Sequence, residues 1–181
     1  MIELSLNILD IVQNSIRAGA EEISIEISES KRKDKLEVVI NDNGSGIPPE
    51  ILPTVDDPFT TTRTTRKTGL GLPLLKYHAE ITGGRISIES SGKGTSVKAL
   101  FGLSHIDRQP LGDIEGVMTI LISANPGIEL LYKHNTDNGL YSFSTIETKE
   151  ALGIERFDDY SLLEDIKQMI RENLEDIGVS S

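Results

Sequence analysis

The sequence predicts an α/β protein of the α+β two-layer type, in which helices cover one face of a mixed sheet. Three observations lead to this fold class. Two pairs of segments with alternating apolar and polar residues are each joined by a short turn, which is typical of hairpins. A helical period precedes the first pair and another lies between the pairs. After residues 108–113 the pattern restarts, which predicts a small C-terminal α/β extension.

The first element is an amphipathic helix that extends to Ala20. At about 100° per residue, apolar side chains from Ile2 to Ala18 lie on one half of the helix. The other half is polar, and Gly19 provides a cap at the end of the helix. The polar half consists of Glu3, Asn7, Asp10, Asn14 and Arg17.

The following elements alternate between strands, loops and one helix. The sequence predicts a hairpin of strands at 21–29 and 35–42, and a loop rich in Gly, Pro, Thr and Arg over 43–69. A helix follows Pro73, and a second hairpin turns at 92–94. We therefore expect one domain over residues 1–107.

The remaining segment, 108–181, is predicted to be the extension. Residues 108–113 form a linker, a helix ends at Asn125, and the sequence Thr136–Gly139 is a strong hairpin turn between strands at 127–135 and 140–147. A terminal helix stops at Gly178. Residues 147–181 hold ten acidic and four basic residues, which fits either a solvated helix face or a docking surface for a basic partner.

Composition excludes several function classes. The net charge of −11 disfavours nucleic acid and anionic membranes as partners, and the lack of Trp disfavours base stacking. The absence of Cys excludes disulfides and thiolate chemistry. No apolar run is long enough to span a membrane, and the N-terminus lacks the pattern of a signal peptide. We expect a soluble, cytoplasmic protein.

Two short motifs carry the chemistry. In the first, Asp42 ends a buried strand and two glycines follow, so that the backbone can approach a ligand closely. The carboxylate of Asp42 could then accept a hydrogen bond from an amine of that ligand. A plain Asx-Gly turn is the alternative. In the second, Gly69 and Gly71 precede a helix, whose free N–H groups bind phosphate. Basic residues precede these glycines, namely Arg63, Arg66 and Lys67; the alternatives are a helix cap and a solvated basic loop.

Residues 4–103 resemble the ATP-binding (Bergerat-type) fold that gyrase, Hsp90, sensor histidine kinases and MutL share. The first helix resembles the N-box, and 42–47 resembles the first glycine box. Residues 57–59 with the Thr/Arg segment resemble the F-box and ATP lid of histidine kinases, and 68–72 their second glycine box. Residues 83–86 and 92–95 resemble their closing strands. Lys67 and Thr82 depart from the family pattern, where a glycine and a histidine are usual.

The resemblance implies a set of ligands for ATP and Mg²⁺. Asn14 would bind Mg²⁺. Asp42 would accept a hydrogen bond from the adenine amine, and the Thr95 hydroxyl would contact the same end of the nucleotide. Arg17 would face the phosphates, as in histidine kinases, and Phe59 would anchor the lid. The further residues implied in ATP binding are Gly44, Gly46, Ile47, Arg63, Arg66, Lys67, Thr68, Gly69, Leu70, Gly71 and Leu72.

Asp10 leaves the function open. The resemblance to ATPases and serine kinases implies a Glu base at this position. The shorter Asp would either activate a nucleophile or order the water shell of Mg²⁺. The alternative is that Asp10 is an exposed acidic residue of the helix without a functional role. The helix begins so near Met1 that we expect no phosphoacceptor hairpin, and His78, His105 and His134 are typical surface or packing residues. Two hypotheses follow: an ATP-dependent kinase or ATPase that acts on a partner protein, and a nucleotide-gated binding module with little turnover.

Overall fold

A single six-stranded sheet organises the chain in the computed structural model, which describes residues 3–57 and 70–180. The strand order is β3-β4-β2-β1-β5-β6. In chain order the elements are α1 (Leu4–Arg17), β1 (Glu22–Ser30), β2 (Lys35–Asp42), a 3₁₀ turn (Leu52–Thr54), α2 (Gly71–Ile81), β3 (Arg85–Ser91), β4 (Gly94–Gly102), α3 (Ile114–Ala124), β5 (Glu129–Thr136), β6 (Gly139–Ser144), α4 (Thr145–Leu152) and α5 (Tyr160–Asp176).

The sheet is mixed, which confirms the predicted fold class. Strands β1–β2, β2–β4, β3–β4 and β5–β6 pair antiparallel, whereas β1 and β5 run parallel. The parallel pair requires a crossover, and α3 lies in that connection. Since β5 pairs directly with β1, the strands of the C-terminal segment continue the same sheet. The division into domains at residues 107 and 108 stays a prediction.

Alternating side chains build the core on one face of the sheet. Ile25 of β1 and Ile40 of β2 are directly paired and are at most 2% exposed. The apolar face of α1 packs on this layer through Ile8 and Val12, neither of which is exposed. The alternate residues of β1 and β2 are only half-buried or exposed. The period of two therefore separates a helix-covered face from an outer face.

Residues 108–113, predicted as a linker, are fixed to the start of α1. The backbone N–H groups of Leu4 and Ser5 donate to the carbonyls of Pro110 and Leu111, both at 2.9 Å. These bonds satisfy two donors that a helix start leaves free. Asn7 is fully buried beneath the segment, and its Nδ2 donates to Gln109 Oε1 at 2.9 Å. The polar half of α1 is therefore not wholly solvated.

Two helices, α4 and α2, begin at residues that differ from the prediction. The sequence predicts a strand over 140–147, but the chain enters α4 after Ser144, whose hydroxyl accepts from the backbone N–H of Glu147 at 3.3 Å. Such a cap competes with strand pairing. Helix α2 begins at Gly71 rather than after Pro73. Proline is tolerated there because the N–H groups of the first turn have no partner within the helix.

A buried polar cluster links β1, β5 and the C-terminal residues. His134 Nε2 lies 2.8 Å from Glu29 Oε1, and Tyr132 Oη lies 2.7 Å from His134 Nδ1. Glu29 Oε2 also accepts from the backbone N–H of Ser180 at 2.9 Å. His134 and Tyr132 are not exposed at all, and Glu29 is 6% exposed. His134 is thus a packing residue in this structure.

None of the helices in residues 3–57 and 70–180 is long and apolar enough to cross a membrane.

We predict that His134→Ala lowers the free energy of unfolding by about 3–5 kcal/mol, because it leaves the Glu29 carboxylate buried without its main partner. Urea denaturation at neutral pH measures the loss. The double variant Glu29→Met/His134→Leu is the control, since it removes both polar groups and should lose less than the single variant. A loss below about 1 kcal/mol in His134→Ala would contradict this account.

The Glu29 carboxylate also predicts a dependence of stability on pH. Burial raises its pKa, but hydrogen bonds from His134 and Ser180 outweigh burial and hold the pKa below the ordinary value of 4.5. A lowered pKa in the folded state stabilises the fold above the unfolded pKa, and this contribution is lost as the pH falls through the folded pKa. Between about pH 6 and about pH 3, Glu29→Gln should therefore lose less stability than the wild type. Equal losses in urea titrations would contradict this assignment.

Candidate functional site

The Asp42 carboxylate joins three elements at the end of β2. Its Oδ2 accepts from Ser15 Oγ of α1 at 2.5 Å. Its Oδ1 accepts from the backbone N–H of Gly44 at 2.9 Å and of Thr95, in β4, at 3.3 Å. An ionised carboxylate offers about four lone-pair positions, so three accepted bonds leave one for a ligand donor.

The glycine turn after Asp42 is held on both sides. Ser45 N–H donates to the carbonyl of Ala18 at 2.9 Å, and Ile47 N–H donates to Ser90 Oγ at 2.7 Å. Gly46 has φ +77°, and a Cβ built there would lie 1.9 Å from the carbonyl oxygen of Ser91. Only glycine fits this position, because both the left-handed backbone and the close approach to β3 exclude a side chain.

Thr95 and Ser90 form a second polar contact beside Asp42. Their hydroxyl oxygens lie 2.8 Å apart on paired positions of β3 and β4. Ser90 Oγ also accepts from Ile47 N–H, so the glycine turn and the β3–β4 hairpin share one hydroxyl. Thr95 is half-buried, which leaves part of its side chain accessible at the site.

Asp10, Asn14 and Arg17 follow one stripe of α1 toward the glycine turn. Asp10 and Asn14 are half-buried and Arg17 is exposed. Asn14 Oδ1 accepts from Arg17 Nη1 at 2.9 Å. A Cβ built at Gly71 would lie 3.2 Å from Asp10 Cβ and 3.4 Å from Asp10 Oδ2. The N-terminus of α2 therefore packs against Asp10, and a helix N-terminus favours a carboxylate nearby.

The structure brings most of the predicted site residues to one end of the sheet. Leu72, in the first turn of α2, is buried, whereas Leu70 is 57% exposed. The contacts above join Asp10, Asn14, Arg17, Asp42, Gly44, Gly46, Ile47, Gly71 and Thr95. The predicted residues that lie outside the described residues are Phe59, Arg63, Arg66, Lys67, Thr68 and Gly69.

Sequence reasoning missed Ser15 and Ser90. Ser15 lies four residues after Ile11 and seven after Ile8, so it is a polar residue on the apolar face of α1. Ser90 continues the inward alternation of Ile86 and Ile88 along β3. A polar residue within an apolar repeat was the available signal, because such a residue needs a buried partner.

Metal binding by a cluster of acidic side chains is not a feature of the described part of the chain. Within residues 3–57 and 70–180, no three His, Asp or Glu side chains come close enough to hold a metal ion.

Comparison with known proteins identifies the family. Residues 2–105 match the model of the histidine kinase-, DNA gyrase B- and HSP90-like ATPases, and this match covers more than half of the chain. The chain belongs to this ATPase family, and it carries an ATP-binding domain similar to the catalytic domains of histidine kinases.

Two curated relatives are bacterial sensor kinases. The sensory histidine kinase/phosphatase NtrB of Rhizobium meliloti (strain 1021) is 39% identical over 69 residues, which cover 38% of this chain and 18% of that protein. The probable C4-dicarboxylate sensor kinase of Bacillus subtilis (strain 168) is 35% identical over 91 residues, which cover 50% of this chain and 17% of that protein. The chain thus spans less than a fifth of the length of these relatives.

One solved structure is similar over more of the chain. The N-terminal domain of a DNA repair protein matches with a TM-score of 0.50 and 19% identity, over 80% of this chain and 52% of that chain. At this identity the match concerns the fold alone. Because it covers more of the chain than the family match does, it supports the continuity of the sheet beyond residue 105.

We predict that Gly46→Ala lowers the free energy of unfolding by at least about 2 kcal/mol, because the new Cβ meets a backbone oxygen and the left-handed φ is strained. Thermal or urea unfolding measures this change. Gly92→Ala is the matched control: its Cβ meets nothing within 4 Å, so it should change stability by no more than about 0.5 kcal/mol. Equal effects of the two substitutions would contradict the proposed close approach.

Proposed function

We propose that this chain binds ATP with Mg²⁺ between α1, α2 and the glycine turn, and that it acts as a kinase or ATPase on a partner protein. One observation carries the proposal: Asp10 lies beside the N-terminus of α2, and Asn14 follows it one helical turn later on α1. The backbone N–H groups that the start of α2 leaves free can bind phosphate, and the Asp10 carboxylate lies next to them.

The base end of the nucleotide would lie at Asp42. Three hydrogen bonds hold this carboxylate in place, and its remaining acceptor position suits an exocyclic amine. Gly46 lets the glycine turn pack closely against β3, and the Thr95 hydroxyl adds a further polar contact beside Asp42. The proposal thus assigns adenine recognition to a rigid part of the fold.

The phosphate end would use the stripe on α1. Asn14 supplies an amide oxygen, a ligand type that Mg²⁺ accepts together with water and phosphate oxygens. The ion, when bound, neutralises phosphate charge. Arg17, which is exposed and donates a hydrogen bond to Asn14, adds a positive charge at the same point. Arg63, Arg66 and Lys67 would contribute further charge, and Thr68 and Gly69 would contact the phosphates.

Asp10 is the candidate general base. In hydrolysis, a water oxygen bonds to the γ-phosphorus while the bond to the β–γ bridging oxygen breaks, which yields ADP and inorganic phosphate. Asp10 would take the proton that the water loses; with a partner hydroxyl as nucleophile the same proton transfer gives a phosphoprotein. The alternative role of Asp10 is to orient water around the ion.

A second candidate function is a nucleotide-gated binding module with little turnover. The specific observation in its favour is that β5 pairs with β1, the direct neighbour of β2 and Asp42. The extension is therefore one strand away from the strand that would bind the base, so nucleotide binding can influence a partner bound there.

Incubation with γ-labelled ATP and Mg²⁺ separates these functions. We predict that Asp10→Asn retains ATP affinity and lowers turnover by about 10²–10⁴-fold, because it removes a base but keeps the shape. Asn14→Ala should weaken the Mg²⁺-dependent part of ATP binding. Asp165→Asn, an exposed substitution on α5, is the matched control and should change neither quantity.

Each possible result decides between the proposals. Turnover that depends on Asp10 supports the enzyme. Tight ATP binding without turnover in the wild type contradicts the enzyme and supports the binding module. Failure to bind ATP contradicts both proposals.

A further inference from the structure

A groove of about 500 Å³ lies at the end of the sheet where β1 and β5 begin and where β2 and β6 end. It is formed by strands of both the ATP-binding domain and the C-terminal segment. Ser24, Asn41, Leu131 and Ser144 line it, and Ile146 of α4 lies along one side. Its volume is in the range of pockets that bind small ligands or a few side chains.

The floor of the groove is one row of residues that are in register across four adjacent strands. Asn41 pairs with Ser24, Ser24 with Leu131, and Leu131 with Ser144. All four belong to the outer face of the sheet and are half-buried. Hydrogen bonds fix the row: Asn41 Nδ2 donates to Ser24 Oγ at 3.2 Å, and Asn41 Oδ1 accepts from Ser96 Oγ at 2.6 Å. A preformed floor of this kind lowers the entropic cost of binding.

The rim of the groove carries negative charge around an apolar centre. Glu22, Glu129 and Glu147 line it and are exposed. None of these three carboxylates forms an ion pair or a side-chain hydrogen bond with the described residues. Leu131 and Ile146 supply apolar surface between these carboxylates, and Ile146 is 40% exposed. The groove therefore combines unpaired negative charge with contact area for an aliphatic side chain.

We propose that this groove docks a short segment of a partner protein in which a Lys or Arg lies next to an aliphatic residue. Charge complementarity supports this occupant, because three carboxylates attract a cationic side chain and repel acidic segments. The apolar surface of Leu131 and Ile146 supports a peptide over a free cation, since a simple cation would leave these two side chains without a partner. The outer face of the sheet also leaves the groove accessible to a chain.

The partner of the proposed function would bind in this groove, so the biological role of the groove rests on that function. Peptide binding itself needs no ATP. A short path joins the two sites. Asn43, which follows Asp42, lines the groove, and its Oδ1 accepts from the backbone N–H groups of Glu21 and Glu22, both at 2.9 Å. A change at the glycine turn therefore reaches the groove through one residue.

The test uses fluorescence anisotropy with the full chain and a labelled peptide of alternating Lys and Leu, in the absence of nucleotide. A peptide with Ser in place of each Leu has the same charge and serves as the probe control. We expect the Lys/Leu peptide to bind more tightly than the Lys/Ser peptide. Glu129→Lys/Glu147→Lys should weaken its binding by at least about tenfold, since it reverses the charge of two of the three carboxylates.

Matched variants separate docking from the general attraction of an acidic protein. Glu164→Lys/Glu175→Lys changes the net charge equally on the exposed face of α5 and should leave affinity within about twofold of the wild type. Ile146→Ser should reduce the preference for the Lys/Leu peptide over the Lys/Ser peptide. Thermal unfolding of each variant verifies that it is folded.

Three results would overturn the proposal. Equal weakening by the two charge-reversal pairs would assign binding to net charge alone. Equal affinity for both peptides would show that the apolar surface of the groove does not contribute to binding. Displacement of the peptide by spermidine at equal concentration would assign the groove to small cations. ATP turnover is measured separately, so failure of the groove and failure of the proposed function remain distinguishable.

Discussion

The Asp42 carboxylate is the constraint on which the site depends. It ends β2, and it accepts hydrogen bonds from α1, from its own turn and from β4. A carboxylate in a half-buried position needs such partners, because desolvation without them would cost several kcal/mol. The bond from Ser15 fixes the rotation of α1 about its axis. That rotation, in turn, places Asp10 beside the N-terminus of α2.

The sheet connects this site to the C-terminal segment. Strand β5 adds to the free edge of β1, and the buried Glu29–His134 pair fastens the two strands at their far end. Replacing that pair by apolar residues should cost less stability than breaking it, so we infer that the pair serves to fix one register of β5. With that register, the serines and Leu131 align into a single row, which is why a groove exists beside the site.

Periodicity allowed most of the fold to be predicted, but not the contacts between distant segments. The alternation of apolar and polar residues predicted the hairpins, and the Asp137–Asn138 turn predicted the last of them, since these signals are local. The first turn of α4 was mistaken for strand because Thr145 and Ile146 have β-branched side chains, and the cap at Ser144 decided otherwise. Asn7 was assigned to a polar face because nothing local indicates that residues 109–111 cover it. Of the site, the motifs gave Asp42 and Gly46, whereas Ser15 became visible only through its bond to Asp42.

The short side chain of Asp10 can be understood from its neighbour. Asp10 is one methylene group shorter than the Glu that the resemblance to ATPases and serine kinases would imply at this position. Gly71 has no side chain, and α2 approaches so closely that an added Cβ would meet Asp10 at 3.2 Å. This approach brings the free N–H groups of α2, and any phosphate bound to them, nearer to α1. A larger residue at position 71 would push the helices apart and remove that compensation, so in the proposed function the two small residues together define the phosphate end of the site.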